Sequence, residues 1–364
     1  MPILVVNAGS SSLKLSLLGA DDAILAEHEL EGTAGKIDLA ALESVVREAG
    51  EVDAVGHRVV HGGPRFDGPV RIDDEVEDYL RSLTDLAPLH QKPALEAIGA
   101  VRRHLPAVPA IACFDTAFHH SLPAAAATYA IPLEWRERWS IRRYGFHGLS
   151  HAYASRRAAA LVEESLESLR IVSCHLGSGS SLAAIKGGRS VDTTMGFTPL
   201  EGLVMGTRAG TVDPGLVLWL VRSGGLNPDA VNEALEKRSG LLALAGTADM
   251  REVLAAGGGE ALEVYLHRLR ALIAAMAAAM GGLDLLVFTG GIGEHAAPIR
   301  SGAADGLGFL GVALDEDLNR GSGDRIIGRS ESGVRTLVVA AREDLEIARQ
   351  VRGLLAGADP TSGR

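Results

Sequence analysis

At 364 residues the chain is long enough for about two domains, and 47% hydrophobic with 22% charged residues excludes a wholly disordered protein. Its 44 glycines show no triplet period, which excludes collagen and asks for local reasons such as tight turns or close backbone approach to a ligand. A net charge of −11 without any Lys/Arg block argues against a nucleic-acid partner, yet leaves small anions open, because a few arginines gathered in a cleft outweigh a diffuse acidic surface.

The start, MPILVVNAGS, has no basic region before its short apolar run, so no signal peptide is expected. Residues 3–6 and 13–18 read as strands joined by a Gly/Ser turn at 7–12. A helix is predicted over 38–50, a strand over 52–60, and helices over 73–83 and 93–104, with Pro93 in the first turn of the last. The apolar run 108–114 reads as a buried strand ending at Asp115. A Trp-containing basic stretch follows at 134–144, then a helix from about 150 to 169. Residues 171–176 and 182–185 repeat the opening plan: strand, Gly/Ser turn at 177–181, strand. Helices are expected at 213–223, 228–237, 249–256 and 260–280. A buried strand at 283–290 runs into the turn GGIGEH, with a helix from Pro298. A strand at 335–340 and a helix at 343–355 close the chain. The Ala-rich stretch at 271–280 is too short for a membrane span, so no membrane association is expected. Cys113 and Cys174 lie in apolar runs, which predicts buried thiols in a reducing, cytoplasmic setting rather than a disulfide framework.

VVNAGSSSLKL (5–15) and SCHLGSGSSLAAI (173–185) share one plan about half a chain apart, which suggests a duplicated module. No Walker loop is present. Three glycine turns, 7–12, 177–181 and 290–294, each follow a predicted strand, where exposed backbone N–H groups and serine hydroxyls suit phosphate. Lys14 lies just beyond the first. The third has a rival reading, since Gly291-x-Gly293-x-x-Ala296 with Asp315 further on outlines a dinucleotide site. Arg58 and Arg208 sit among glycines, where a guanidinium suits carboxylate or phosphate. His147 and His151 are four apart, but no further ligand points to zinc, and His147 is better placed as a donor to developing negative charge. Asp115 at a strand end and Glu343 at a helix start are candidate magnesium contacts; Glu343 also suits the helix dipole.

Together these segments resemble the acetate kinase family: VVNAGSSSLK (5–14), GHRVVHGG (56–63), LAPLH (86–90), FDTAFH (114–119), RRYGFHG (142–148), HLGSGSS (175–181), MGTRAG (205–210), ADMR (248–251), FTGGIGEH (288–295) and REDLEIAR (342–349). The resemblance spans essentially the whole chain. It implies an α/β, two-domain actin-like ATPase (ribonuclease H-like) fold with a duplicated core and an interdomain cleft. The expected division is 1–119 with a returning helix in 344–364, and 120–343 as the nucleotide-binding domain. It further implies a homodimer and the reaction ATP + acetate ⇌ ADP + acetyl phosphate, with Mg²⁺ or Mn²⁺. By the same resemblance Asn7 and Glu343 serve the metal. Lys14, His175, Leu176, Gly177, Ser178, Gly179, Asp249, Met250, Arg251, Gly291, Ile292, Gly293, Glu294 and His295 serve ATP. Arg58 binds the acyl substrate, and Val60, Leu89, Phe146 and Pro199 line its methyl pocket. Asp115, His147 and Arg208 are catalytic. Alternatives are another short-chain acyl kinase, such as one for propionate, and a nucleotide-binding relative without transfer activity.

The sequence departs from the family pattern at several points. Ser178 and His295 stand where Asn is usual, Thr211 lies where the Arg208 motif has Asp, and Gln91–Lys92 interrupt an HNP run. Arg342 and Asp344 replace Asn and Glu. Ser178 and His295 put nucleotide affinity or choice in question.

Overall fold

The computed structural model describes residues 1–9, 12–31, 38–48, 50–86 and 88–357; of residue 12, residue 31 and residues 88–90 the backbone alone is described. The chain divides into two compact units, one of Met1–His120, Phe146–Tyr153 and Arg342–Arg364, the other of Ser121–Gly145 and Ala154–Ala341. The segment 146–153 thus clusters with the first unit, although it lies within the 120–343 stretch assigned from sequence to the second domain.

The first unit is built on β1 (Ile3–Ala8), β2 (Ser12–Leu18), β3 (Ile24–Glu31), β4 (Ala54–Val59), β5 (Val70–Arg71) and β6 (Ala110–Phe114), in the order β3-β2-β1-β4-β6-β5. The second holds β7 (Arg170–Leu176), β8 (Ser180–Lys186), β9 (Arg189–Thr193), β10 (Leu285–Thr289), β11 (Arg325–Ile326) and β12 (Arg335–Val338), in the order β11-β12-β10-β7-β8-β9. Within each unit the first three strands form an antiparallel meander, the first, fourth and sixth run parallel, and the fifth pairs antiparallel to the sixth. The two sheets therefore have one topology. The suspected repeat is a duplicated core, and its registers align: Asn7 faces Lys14 across β1 and β2, as His175 faces Ser181 across β7 and β8.

Alternation decides what each sheet face meets. Leu4, Val6, Leu13 and Leu15 pack against Leu42, Val46, Ala97 and Val101 of the helices Leu39–Glu48 and Pro88–His104. The opposite face, with Ile3, Val5, Ala54, Ile111 and Cys113, is covered by Ile347, Ala348 and Val351 of the helix Glu343–Leu355. Gly56 lets that helix approach, since a Cβ there would lie 2.4 Å from Ile347 Cγ2 and 2.9 Å from Val351 Cγ2.

Several elements differ from the sequence reading. β3 and β9 escaped notice because their faces are largely exposed or polar, and β5 and β11 are two residues long. The third helix begins at Pro88, with Pro93 inside it. The helix expected to reach 169 is Gly148–Leu161, followed by Glu163 in the left-handed region (φ 55°). GGIGEH is a six-residue helix, Gly290–His295, rather than an open turn.

Candidate active site

Asn7, Arg58 and Asp115 stand at the C-terminal ends of the adjacent parallel strands β1, β4 and β6. All three continue the face covered by the last helix, and such strand ends are where open α/β sheets gather their ligands. Glu343 opens that helix and meets them. The Arg58 guanidinium grips Asp115 with Nε at 3.1 Å and Nη2 at 2.7 Å from Oδ2, while its Nη1 donates to Asn7 Oδ1 at 3.1 Å. Asn7 Nδ2 donates to Glu343 Oε2 at 2.8 Å, which lies 3.7 Å from Arg58 Nη1.

Asp115 is 1% exposed and Arg58 12%. Burial pushes the Asp115 carboxyl up to about 6, against the pull of Arg58, and the Glu343 charge adds to the rise. Burial opposes the Arg58 charge as well, but Asp115 and Glu343 outweigh it and raise its pKa. Two carboxylates and one guanidinium leave a net charge of about −1, with oxygen donors that suit a hard divalent cation. Three of the five Arg58 donors are used, which leaves N–H groups on both terminal nitrogens for an anionic substrate.

His147 sits beside this cluster because the backbone leaves little choice. Gly148 N donates to Asp115 O at 2.9 Å, and a Cβ on Gly148 would lie 2.2 Å from that oxygen and 2.8 Å from Phe118 Cβ. The preceding His147 takes a left-handed conformation (φ 57°), which is uncommon outside glycine and typical of functional positions. Phe146 is buried, with its carbonyl 3.1 Å from His119 Nε2 and its ring edge-on to His61, and Val60 is buried in the same unit. Gly148→Ala is expected to destabilise the protein by about 1–3 kcal/mol through overpacking. Urea unfolding checks this, and an unchanged midpoint would contradict the close approach.

In the second unit the positions that match Asn7 and Arg58 in the duplicated register are His175 and Thr289, which face one another across β7 and β10. This sheet carries no counterpart of the charged cluster at those positions. It gathers the glycine turns instead. A Cβ on Gly290 (φ 77°) would lie 2.8 Å from Leu176 O, so the Gly290–His295 helix starts against the 177–179 turn. Gly206 N donates to Ser178 O at 3.0 Å, and a Cβ on Gly206 would be 3.4 Å from Ala248 O. Thus 175–179, 205–208, 248–251 and 290–295 form one neighbourhood. Ser178, Arg251, Gly291 and His295 are exposed there. Asp249 caps the helix Met250–Ala255 and pairs with Arg251. Arg208 donates from Nη1 to Pro199 O at 2.6 Å, and burial lowers its pKa against the opposing pull of Glu236.

Other expected residues lie elsewhere or take other partners. Lys14 is exposed on β2, 3.7 Å from Glu29. Glu294 accepts the Ala341 N–H at 2.9 Å, so its carboxylate is engaged by backbone. The Leu89 side chain and residues 10 and 11 of the first turn lie outside the described residues. Asp315 caps the short helix Glu316–Asn319 by accepting from Asp317 and Leu318 N–H, which accounts for it without a ribose. Sequence reasoning missed Arg300, 1% exposed, which ties down the Gly293 and Glu294 carbonyls at 2.8 and 3.0 Å. Its signal was faint: one arginine in an otherwise ordinary helix. Among the described residues, no three His, Cys, Asp or Glu side chains gather as a metal site, and no helix is long and apolar enough to cross a membrane.

Three buried histidines around the first site bear on acid stability. Burial holds His57 down to about 3, helped by the Arg102 charge, and holds His61 and His119 down to about 4. Depressed native values mean that the unfolded chain binds these protons first. Their stabilising effect is complete above about pH 6.5 and is lost as pH falls below it. At pH 5.5 the three together cost about 4 kcal/mol, whereas Asp115, raised in the native state, returns under about 1 kcal/mol. Urea midpoints at pH 7.5 and 5.5 should therefore fall on acidification, and equal midpoints would contradict this balance.

Two sheets of one topology, one ending in an oxygen-and-guanidinium cluster and the other in glycine-rich segments, define a duplicated α/β protein of the actin-like ATPase and sugar-kinase class. The acetokinase family model matches residues 31–349. The chain is 42% identical to the acetate kinase of Thermoanaerobacter pseudethanolicus, with 98% of this chain and 100% of that one covered, and 44% identical to that of Gloeobacter violaceus, with 96% and 98% covered. Its fold matches the crystal structure of the Porphyromonas gingivalis acetate kinase with TM-score 0.87 at 35% identity, covering 97% of this chain and 99% of that one. A propionate kinase from Francisella tularensis matches with TM-score 0.88 at 36% identity, covering 96% and 98%. The chain belongs to the acetokinase family.

Proposed function

We propose that the protein transfers the γ-phosphoryl group of ATP to acetate, reversibly giving acetyl phosphate and ADP. The observation that carries this is the Asn7–Arg58–Asp115–Glu343 cluster, set in a chain of this family. An acetate carboxylate is already ionised at neutral pH, so no base is required. One of its oxygens attacks the γ-phosphorus, a new C–O–P link forms, the bond to the β,γ-bridging oxygen breaks, and ADP leaves with that electron pair.

The residues divide the work. Arg58 offers its remaining N–H groups to the acyl carboxylate, and Asp115 holds that guanidinium in place rather than taking a proton. His147 and Arg208 stabilise charge on the transferring phosphoryl group. The turn at 175–179 and the helix starts at 249–251 and 291–295 bind ATP, with Lys14 as a further contact. Asn7 and Glu343, with Asp115 beside them, would hold Mg²⁺, which neutralises phosphate charge when bound. Val60, Leu89, Phe146 and Pro199 take the methyl group. ADP and acetyl phosphate should yield ATP in a coupled assay, and no ATP formation with magnesium present would refute the reaction.

Propionate is the second reading, since the solved propionate kinase is as similar to this chain as the solved acetate kinase. One methylene changes binding by only about 0.8 kcal/mol. The relatives at 42% and 44% identity described above favour acetate.

We also propose a cytoplasmic homodimer. The two cysteines are free and buried, as a reducing compartment allows. The helix Pro214–Arg222 buries none of its residues, and Leu216, Leu218 and Trp219 are 45%, 55% and 58% exposed, an apolar face that a second copy would cover. Trp219→Asp should convert a dimer to a monomer in sedimentation equilibrium. A wild-type monomer at micromolar concentration would contradict the dimer, and cell fractionation tests the location.

A further inference from the structure

We propose that Tyr129 and Glu201, with Arg143, are positioning residues that act through Arg208 by fixing the loop carrying Pro199; this rests on the phosphotransfer role of Arg208 proposed above. The loop is 194–201, which follows β9. Arg143 ties its two ends together: Nη1 donates to Thr194 O and Met195 O, each at 3.2 Å, and Nη2 donates to Glu201 Oε1 at 2.9 Å. Tyr129 ties its middle to its end, donating to Glu201 Oε2 at 2.5 Å and accepting from Phe197 N at 3.0 Å. The Arg143 guanidinium also lies 5.5 Å from the Tyr129 ring centroid.

Gly196 shows how closely this knot is drawn. A Cβ there would fall 1.8 Å from Glu201 Oε2 and 2.1 Å from Tyr129 Oη, and its carbonyl accepts from Tyr144 N at 3.0 Å. Backbone groups of 194, 195, 196 and 197 are thus each held. The half-buried stretch 198–200 remains, and Pro199 O there accepts the Arg208 Nη1 bond at 2.6 Å. Arg208 is half-buried, and no carboxylate lies at hydrogen-bond distance among its described bonds. The carbonyl of Pro199 therefore aims the guanidinium and leaves its charge for a ligand. The height of that carbonyl is set by Tyr129 and Glu201. Nothing in the primary sequence marks the pair, which lie 72 positions apart.

The test is a double-mutant cycle of Tyr129→Phe and Arg208→Ala, with Glu201→Gln as a second entry into the same network. Tyr129→Phe removes both hydroxyl bonds without changing shape. It should lower kcat about 10- to 100-fold, the scale of a displacement of about 1 Å, with the KM for MgATP within about twofold of wild type. In the Arg208→Ala background it should have no further effect on kcat. An equal loss in both backgrounds, or an unchanged kcat in the single variant, would overturn the proposal. A crystal structure of Tyr129→Phe supplies a readout independent of activity. The Arg208–Pro199 bond should be broken there, and its survival would also overturn the proposal. A wild-type protein without phosphotransfer would refute the functional reading, whereas an intact bond in the variant refutes the positioning role alone.

Discussion

Arg208→Ala is expected to lower kcat about 10³- to 10⁵-fold, the range an active-site arginine supplies to phosphoryl transfer. The reason lies in what Arg208 does in the fold. Its single described side-chain bond goes to a neutral carbonyl, and its surroundings lower its pKa through burial. A guanidinium held this way has its charge largely unspent until an anion arrives, which makes it worth more to a transferring phosphoryl group than to stability. Removing it should therefore leave the unfolding midpoint near wild type, because no buried carboxylate is orphaned. The KM for acetate should change far less than kcat. Steady-state kinetics beside urea unfolding separates the outcomes. A stability loss without a kcat loss would assign Arg208 to structure.

Arg58→Ala should behave in the opposite way, losing stability and activity together. Asp115, 1% exposed, would keep a buried carboxylate without its bidentate partner, and breaking such a pair costs about 3–5 kcal/mol. The carboxyl would escape part of that cost by taking up a proton, since burial and Glu343 already raise its pKa with Arg58 in place. Stability of the variant should accordingly fall less than that of the wild type as pH drops from 7.5 toward 6, because extra proton uptake by Asp115 offsets much of the loss set by the histidines. Acyl substrate use should fail as well, because the N–H groups offered to the carboxylate are gone. Arg58→Lys should recover part of the stability and little of the activity, since an ammonium cannot fork onto Asp115 and also reach Asn7. If Arg58→Ala unfolded at the wild-type urea concentration, the buried pair would not be the support described.

The parts that were legible in the sequence are those in which chemistry and periodicity coincide. β1, β4, β6, β7 and β10 are largely apolar runs with a polar or charged residue within one position of their C-terminal end, and that placement sets Asn7, Arg58 and Asp115 side by side. The duplication showed in two strand–turn–strand stretches, and the paired registers of Asn7 with Lys14 and His175 with Ser181 give it physical form. β3 and β9 were illegible because an edge strand needs no apolar alternation on a solvated face. The Tyr129–Glu201–Arg143 knot was illegible because its members meet through tertiary folding alone. The glycine excess proved partly a matter of close approach. Gly56, Gly148, Gly196 and Gly290 stand where a Cβ would strike a neighbour within 3 Å. Ser178, the departure in the first nucleotide turn, accepts the Gly206 bond through its backbone, so the Asn usual at that position is not required to hold the turn. Its effect should lie in what the exposed side chain offers to a nucleotide.

The most direct test is hydroxamate trapping of acyl phosphate with MgATP and a panel of acetate, propionate and butyrate, each repeated with excess EDTA. The proposed acetate kinase activity requires acyl phosphate formation that depends on both ATP and magnesium, with kcat/KM highest for acetate and lower for each added methylene. Nucleotide binding by calorimetry without acyl phosphate from any of the three acids would contradict it.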